Sequence, residues 1–140
     1  MLAERERILY HVSIGTSDMA KAKAFYRAVM EPLGCQLLHE LKDDAGSDVS
    51  LGWGKKFPEL WVNLPLEGTA NPSNGAHLAF FAPDKTSIDA FYRAALGRGG
   101  LDDGAPGYRP HYQPGYYAAF VRDPDGNKIE AVWFDEKKRT

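Results

Sequence analysis

The chain says the same thing twice, 66 residues apart. His11 is followed by Asp18 and then by Ala24-Phe25-Tyr26-Arg27-Ala28. His77 is followed by Asp84 and then by Ala90-Phe91-Tyr92-Arg93-Ala94, each residue displaced by the same 66 positions. An in-phase match that includes an intact pentapeptide implies two copies of one structural unit. It also gives His11 and His77 equivalent places in those units, and a pair of equivalent histidines is a natural start for a metal site.

Pattern within each copy shows what the unit is. Residues 8–15 read as a strand, with Ile8, Tyr10, Val12 and Ile14 on one face and Leu9, His11, Ser13 and Gly15 on the other. Thr16, Ser17 and Asp18 supply N-cap chemistry. A helix follows to about Glu31, its apolar face made by Ala22, Phe25, Tyr26, Val29 and Leu33, and Pro32 and Gly34 end it. Three strands are expected over 35–42, 48–54 and 58–64, separated by Asp43-Asp44-Ala45-Gly46 and by Gly54-Lys55-Lys56-Phe57-Pro58. The Pro, Gly and Asn-rich stretch 65–75 reads as a linker. The second copy follows in the same order. A strand runs over 76–82 and a helix from Asp84 to Leu96, with Ile88, Phe91, Tyr92 and Ala95 inward. A weak strand over 101–105 leads to a loop from Gly104 to Gly115. Strands Tyr116–Arg122 and Lys128–Phe134 flank the turn Asp123-Pro124-Asp125-Gly126-Asn127. Asp135–Thr140 is a charged tail, expected to be solvated and frayed.

Each unit is therefore β-α-β-β-β, and the class is α+β. One helix cannot cover a four-stranded sheet completely. Two such units, 8–64 and 76–134, pairing as curved mixed sheets around a central cavity make a single domain of residues 1–140.

The bulk numbers narrow the function classes. A net charge of −2 gives no electrostatic case for nucleic acid or an anionic membrane. No apolar window approaches the about 18 residues of a membrane span, and the charged start does not read as a signal peptide. Cys35 is the single cysteine, which excludes an internal disulfide and fits a reducing, cytoplasmic location. Beside a turn, it reads as a small hydrophobe rather than a nucleophile.

The motifs together resemble the vicinal oxygen chelate superfamily: Tyr10-His11-Val12-Ser13-Ile14 opening the first unit, Gly75-Ala76-His77-Leu78-Ala79-Phe80 opening the second, and Asp123-Pro124-Asp125-Gly126-Asn127-Lys128-Ile129-Glu130 near the end. That superfamily includes glyoxalase I, fosfomycin-resistance transferases, extradiol dioxygenases, methylmalonyl-CoA epimerase and bleomycin-binding proteins. The resemblance covers about residues 8–134. It implies a glyoxalase-like fold and metal ligands from the first and last strands of the modules. Carried over by position these are His11, His77 and Glu130, with Glu59 as a possible fourth. Two imidazoles and a carboxylate suit one divalent ion of Zn, Ni, Mn, Co or Fe, and the sequence does not name it.

Such an ion acts as a Lewis acid while a carboxylate moves a proton, and Glu130 and Glu59 are the candidates for that catalytic role. Trp61, Asn63, His111, Tyr112, Gln113 and Tyr117 are the candidate substrate-binding residues. His39 has no partner pattern and reads as a surface residue. Arg27 and Arg93 read as solvated helix faces. The leading reading is a glyoxalase-like, metal-dependent lyase or isomerase acting on a small oxygen-chelating molecule, in a homodimer as is frequent in the superfamily. Glyoxalase I has an Arg four residues after its first ligand, where this chain has Gly15, so glutathione is not the implied thiol. Two other readings stand: a metal-free protein that binds and sequesters a small molecule such as an antibiotic, and a single-module Fe(II) extradiol-type dioxygenase.

Overall fold

A computed structural model describes residues 6–139. It contains eight strands: β1 Val12–Gly15, β2 Gln36–Lys42, β3 Asp48–Gly54, β4 Leu60–Asn63, β5 His77–Phe81, β6 Leu101–Tyr108, β7 Tyr116–Arg122 and β8 Lys128–Phe134. Helix α1 spans Met19–Met30 and α2 spans Lys85–Gly97. Short 3-10 turns lie at Glu31–Leu33 and Glu136–Lys138. The strands form two four-stranded sheets of the same design, ordered β1-β4-β3-β2 and β5-β8-β7-β6. In each sheet the first strand pairs parallel with the last, and the remaining pairs are antiparallel. The two βαβββ modules and the α+β class are as the repeat implies.

The helices start where the caps predict. The Asp18 carboxylate accepts from Lys21 N at 3.1 Å, and the Asp84 carboxylate from Ser87 N at 2.8 Å and Ser87 Oγ at 2.7 Å. The Ser87 hydroxyl and then its N–H hold the Asp84 carboxyl below its ordinary range. Gly34 ends the first helical stretch with φ near 77°, which a side chain would resist, and its N–H returns to Glu31 O.

Both helices share one core. Ala22, Phe25, Tyr26, Val29 and Met30 of α1 fall at i, i+3, i+4, i+7 and i+8, and all are buried. Ile88, Phe91 and Ala95 do the same for α2. The helices pack on each other, and their apolar faces meet Leu51, Trp53, Leu60 and Val62 of the first sheet and Tyr117, Ala119, Val121, Ile129 and Ala131 of the second. One continuous core therefore joins the modules. Arg27 and Arg93 are exposed, as their solvated-face reading requires.

A polar clamp also joins them, built on the turn 123–127. Asp123, almost fully buried, accepts from the Tyr26 hydroxyl at 2.6 Å, from Asp125 N and Asn127 N at 2.9 Å, and from Asn127 Nδ2 at 2.9 Å. Asn127 Nδ2 also donates to Gly15 O at 3.0 Å, and Ser17 N donates to Asp125 at 2.8 Å. The turn thus holds the end of β1 and the side of α1. Burial above all, then the Asp123 carboxylate, hold the Tyr26 phenol well above its ordinary pKa.

Four expectations change. Residues 8–11 do not extend the first strand, and Ile8 and Tyr10 are exposed rather than inward. The ladder ends at Val12 N to Glu59 O because Glu59 N, the next donor along, goes to Trp53 O instead. β4 is also shorter than 58–64, spanning Leu60–Asn63. In the second module β6 runs on to Tyr108, through two register shifts, so the aromatic loop contracts to 109–115. The tail is not frayed at its start: Asp135 accepts from the Tyr108 hydroxyl at 2.8 Å, and the Lys138 ammonium lies 4.7 Å from the Tyr108 ring centre.

Candidate functional site

The face of each sheet turned away from the helices carries the histidines. On the second sheet, β8 alternates Ile129 and Ala131 toward the core with Glu130 toward the other face. Glu130 is 1% exposed, a carboxylate that burial would penalise unless it were paired. Both of its oxygens are engaged. His77 Nε2 lies 3.1 Å from Oε1, and the Tyr116 hydroxyl donates to Oε2. Burial first, and the hydrogen bond to this carboxylate second, push the Tyr116 phenol well up from its ordinary value. Phe120 stands directly opposite Glu130 in the β7–β8 register, 6.1 Å from the His77 ring. Ala118, Phe120 and Val132 make a small apolar floor with Tyr116 and Phe134 at its margin. The loop 109–115 lays Tyr112 beside it, 5.1 Å from Tyr116 and 6.4 Å from Phe120.

The first sheet presents the other histidine. His11 immediately precedes β1, is exposed, and meets the edge of Trp61 at 6.4 Å. Trp61 lies over Gly52. A Cβ there would sit 3.0 Å from the indole and 2.8 Å from Pro58, so only glycine leaves this space. His39 packs on the same indole at 5.8 Å. Asn63 accepts from the Ser50 hydroxyl on the same face. Glu59, at the strand's mouth, is about half exposed and faces Arg7 at 3.5 Å.

The expected ligands therefore divide. His77 and Glu130 are together, and His11 and Glu59 belong to the other sheet. Among the described residues of one chain, no three His, Cys, Asp or Glu side chains come together as a metal-binding group. Where the edges of β1 and β5 approach, a groove of about 270 Å³ is lined by Val12–Gly15, 71–73, Ala76–Leu78, Asn127 and Lys128, and His11 does not reach it. One chain thus keeps the His77/Glu130 pair on the second sheet and His11 beside the first.

Of the expected substrate-binding residues, Trp61, Asn63 and Tyr112 lie on these faces. His111 is exposed and lies tilted against Tyr112 at 4.4 Å, and the Gln113 backbone carbonyl accepts from Tyr116 N. Tyr117 is a correction. It faces the helix core, donates to Asp89 at 2.9 Å and packs on Tyr108, and burial followed by Asp89 raises its pKa to about 12. The side chain on the site face is its neighbour Tyr116, because strand alternation runs Tyr116, Ala118, Phe120 on that side. Phe120 is the residue on this face that the sequence reading missed, while His39 is exposed on the edge strand β2, as its surface reading expects. Cys35 is half-buried, and burial pushes its thiol up, which suits no nucleophile.

Two βαβββ modules joined through their helices, with histidine-bearing faces left open, define a known class of duplicated proteins. The chain belongs to the glyoxalase/bleomycin resistance protein/dioxygenase superfamily, whose family model matches residues 8–131. Among solved structures it is similar to a glyoxalase/bleomycin resistance protein from Albidiferax ferrireducens T118, with 29% identity over 90% of this chain and 98% of that one and a TM-score of 0.76. The fold also matches a lactoylglutathione lyase from Agrobacterium tumefaciens, at 22% identity over 91% and 92% of the two chains with a TM-score of 0.58. TioX from Micromonospora sp. ML1 shares the fold at 16% identity over 87% and 92%, with a TM-score of 0.60. No curated protein sequence matches the chain significantly. No helix among the described residues is long and apolar enough to cross a membrane.

Proposed function

We propose that the protein is a glyoxalase-type, metal-dependent lyase or isomerase for a small oxygen-chelating molecule, and that two copies of the chain build each site. His77 and Glu130 of one copy and His11 of the other would hold the ion, with Glu59 beside His11. The observation that carries the reading is the His77–Glu130 pair at 3.1 Å, a buried carboxylate beside an imidazole that is 42% exposed, while its equivalent His11 stands open on the other sheet. An isolated buried carboxylate is costly, so this one is placed for a partner. A divalent ion so held would polarise a substrate oxygen and favour developing negative charge. The chain's own residues do the rest. Tyr116 fixes the orientation of Glu130, the Phe120 floor and Trp61 exclude water from an apolar substrate portion, and Glu59, at the mouth beside Arg7, is the carboxylate placed to move a proton.

The test is metal analysis of protein purified without added metal, then titration with Zn, Ni, Mn, Co and Fe(II), with His11→Ala and His77→Ala as controls. The reading expects stoichiometric uptake that both substitutions abolish. It also expects turnover of an α-hydroxycarbonyl or hemithioacetal only in loaded protein. A second reading, metal-free binding and sequestration, is favoured by one observation: both Glu130 oxygens already have protein partners. Ligand binding that persists unchanged in both histidine variants without metal would select it.

A further inference from the structure

The site face of the second sheet carries a cation that the proposed chemistry does not use. Arg109 directly follows Tyr108, the last residue of β6. Tyr108 turns to the core, so Arg109 turns to the Glu130 face. Its guanidinium lies 5.5 Å from the centre of the Phe120 ring, and Nη2 donates to Ala105 O at 2.7 Å. No carboxylate lies within ion-pairing distance of it among the described residues. The other cation on that ring, Lys128 at 5.3 Å, is already paired with Asp103 at 3.3 Å.

The seat for this guanidinium is shaped by missing side chains. A Cβ at Gly107 would lie 3.0 Å from Nη1, and one at Gly104 would lie 3.3 Å from Nη2 and 3.0 Å from Phe120. Two glycines of β6 thus leave the room in which Arg109 lies against Phe120. A side chain merely solvated at a strand end needs no such room. Beside it, both Glu130 oxygens are engaged by Tyr116 and His77, and neither pairs with the guanidinium. Stacking on the ring and the bond to Ala105 fix the planar fork while leaving donors free, which is pre-organisation for a carboxylate.

We propose that Arg109 is the residue that selects an organic carboxylate on this face, its guanidinium pairing with the acid while the Phe120, Tyr112 and Phe134 rings take the apolar remainder. This rests on reading the Glu130 face as a ligand site, but it needs no metal. The substrate class of the proposed function then narrows to small oxygen-bearing carboxylic acids.

The experiment is isothermal titration of chelator-treated full-length protein with benzoate, phenylacetate and pyruvate, each beside its neutral amide, at low salt. At least one acid is expected to bind about tenfold or more tightly than its amide, as a charge-assisted pair allows. Arg109→Gln should collapse that ratio to below about twofold. Arg109→Lys, which keeps the charge without the fork, should retain a weaker preference. Melting curves establish that the variants are folded, and the Lys variant carries the test where the Gln variant is not. No acid preferred over its amide, or a preference that survives Arg109→Gln, overturns the proposal. Because metal is absent throughout, failure here leaves the metal-uptake result untouched, and failure of metal uptake leaves this preference standing.

Discussion

Replacing Tyr26 by Phe tests whether the modules are held together through the turn 123–127. The ring of Tyr26 is fully buried and stays in place in the variant, so the apolar contribution is nearly unchanged. What is lost is one hydroxyl, donating at 2.6 Å to a carboxylate that is 3% exposed. Hydrogen bonds to charged groups contribute about 1.5–3 kcal/mol. Asp123 keeps three donors from the turn, which holds the loss toward the lower half of that range, about 1.5–2 kcal/mol. For a chain of this length that corresponds to a fall in Tm of roughly 4–8 °C. The equivalent change in the second unit, Tyr92→Phe, removes a half-buried hydroxyl whose carboxylate neighbour, Asp102, is exposed, and should lower Tm much less than Tyr26→Phe. Thermal melts followed by circular dichroism, with urea unfolding as a check, read both. A Tyr26→Phe variant melting within about 1 °C of the parent, or as little changed as Tyr92→Phe, would show that the clamp contributes nothing and that the helices alone hold the modules.

Other outcomes follow from the same structure. Gly52→Ala puts a methyl 3.0 Å from the Trp61 indole and should displace it, seen as altered Trp fluorescence and weakened ligand binding with little change in secondary structure. Tyr116→Phe frees one oxygen of Glu130 and should weaken metal uptake about 10–100-fold, as loss of a group orienting a ligand does, measured by competition with a chromogenic chelator. Hydrogen bonds from Lys23 and Lys42 hold the Asp48 carboxyl below its ordinary value. A depressed carboxylate contributes stability above its unfolded pKa of about 3.9, and that contribution is lost as pH falls through its folded value. Asp48→Asn should therefore flatten the decline of Tm between about pH 5 and pH 2, and an unchanged slope would contradict the assignment.

Much of this fold was legible because the two copies say it twice. The caps Asp18 and Asp84, the helical spacing of Phe25 and Phe91, and the Asp123–Asn127 turn are local signals, and local geometry obeys them. The alternation that set Glu130 opposite Ile129 and Ala131 was equally readable. What the sequence withheld depends on neighbours. Where β1 begins depends on Glu59, whose N–H goes to Trp53 O rather than to the chain before Val12. Tyr116 and Tyr117 could not be told apart because β7 is an apolar run buried on both sides, and such a run has no visible phase. His39 gained its place only because Gly52, its cross-strand neighbour, lies beneath Trp61. That His11 and His77 lie on separate sheets is a property of how the modules pack, and no spacing along the chain encodes it.

Mixed dimers test the central claim most directly. A tagged His11→Ala chain is co-expressed with a differently tagged His77→Ala chain, and the doubly tagged dimer is isolated and its metal content measured. If each site takes His11 from one copy and His77 with Glu130 from the other, one site of the mixed dimer is intact and the other lacks both histidines. The account predicts one ion per mixed dimer and none in either homodimeric variant. A mixed dimer as empty as its parents, from a wild-type protein that does bind metal, would place all the ligands of a site within one chain and contradict it.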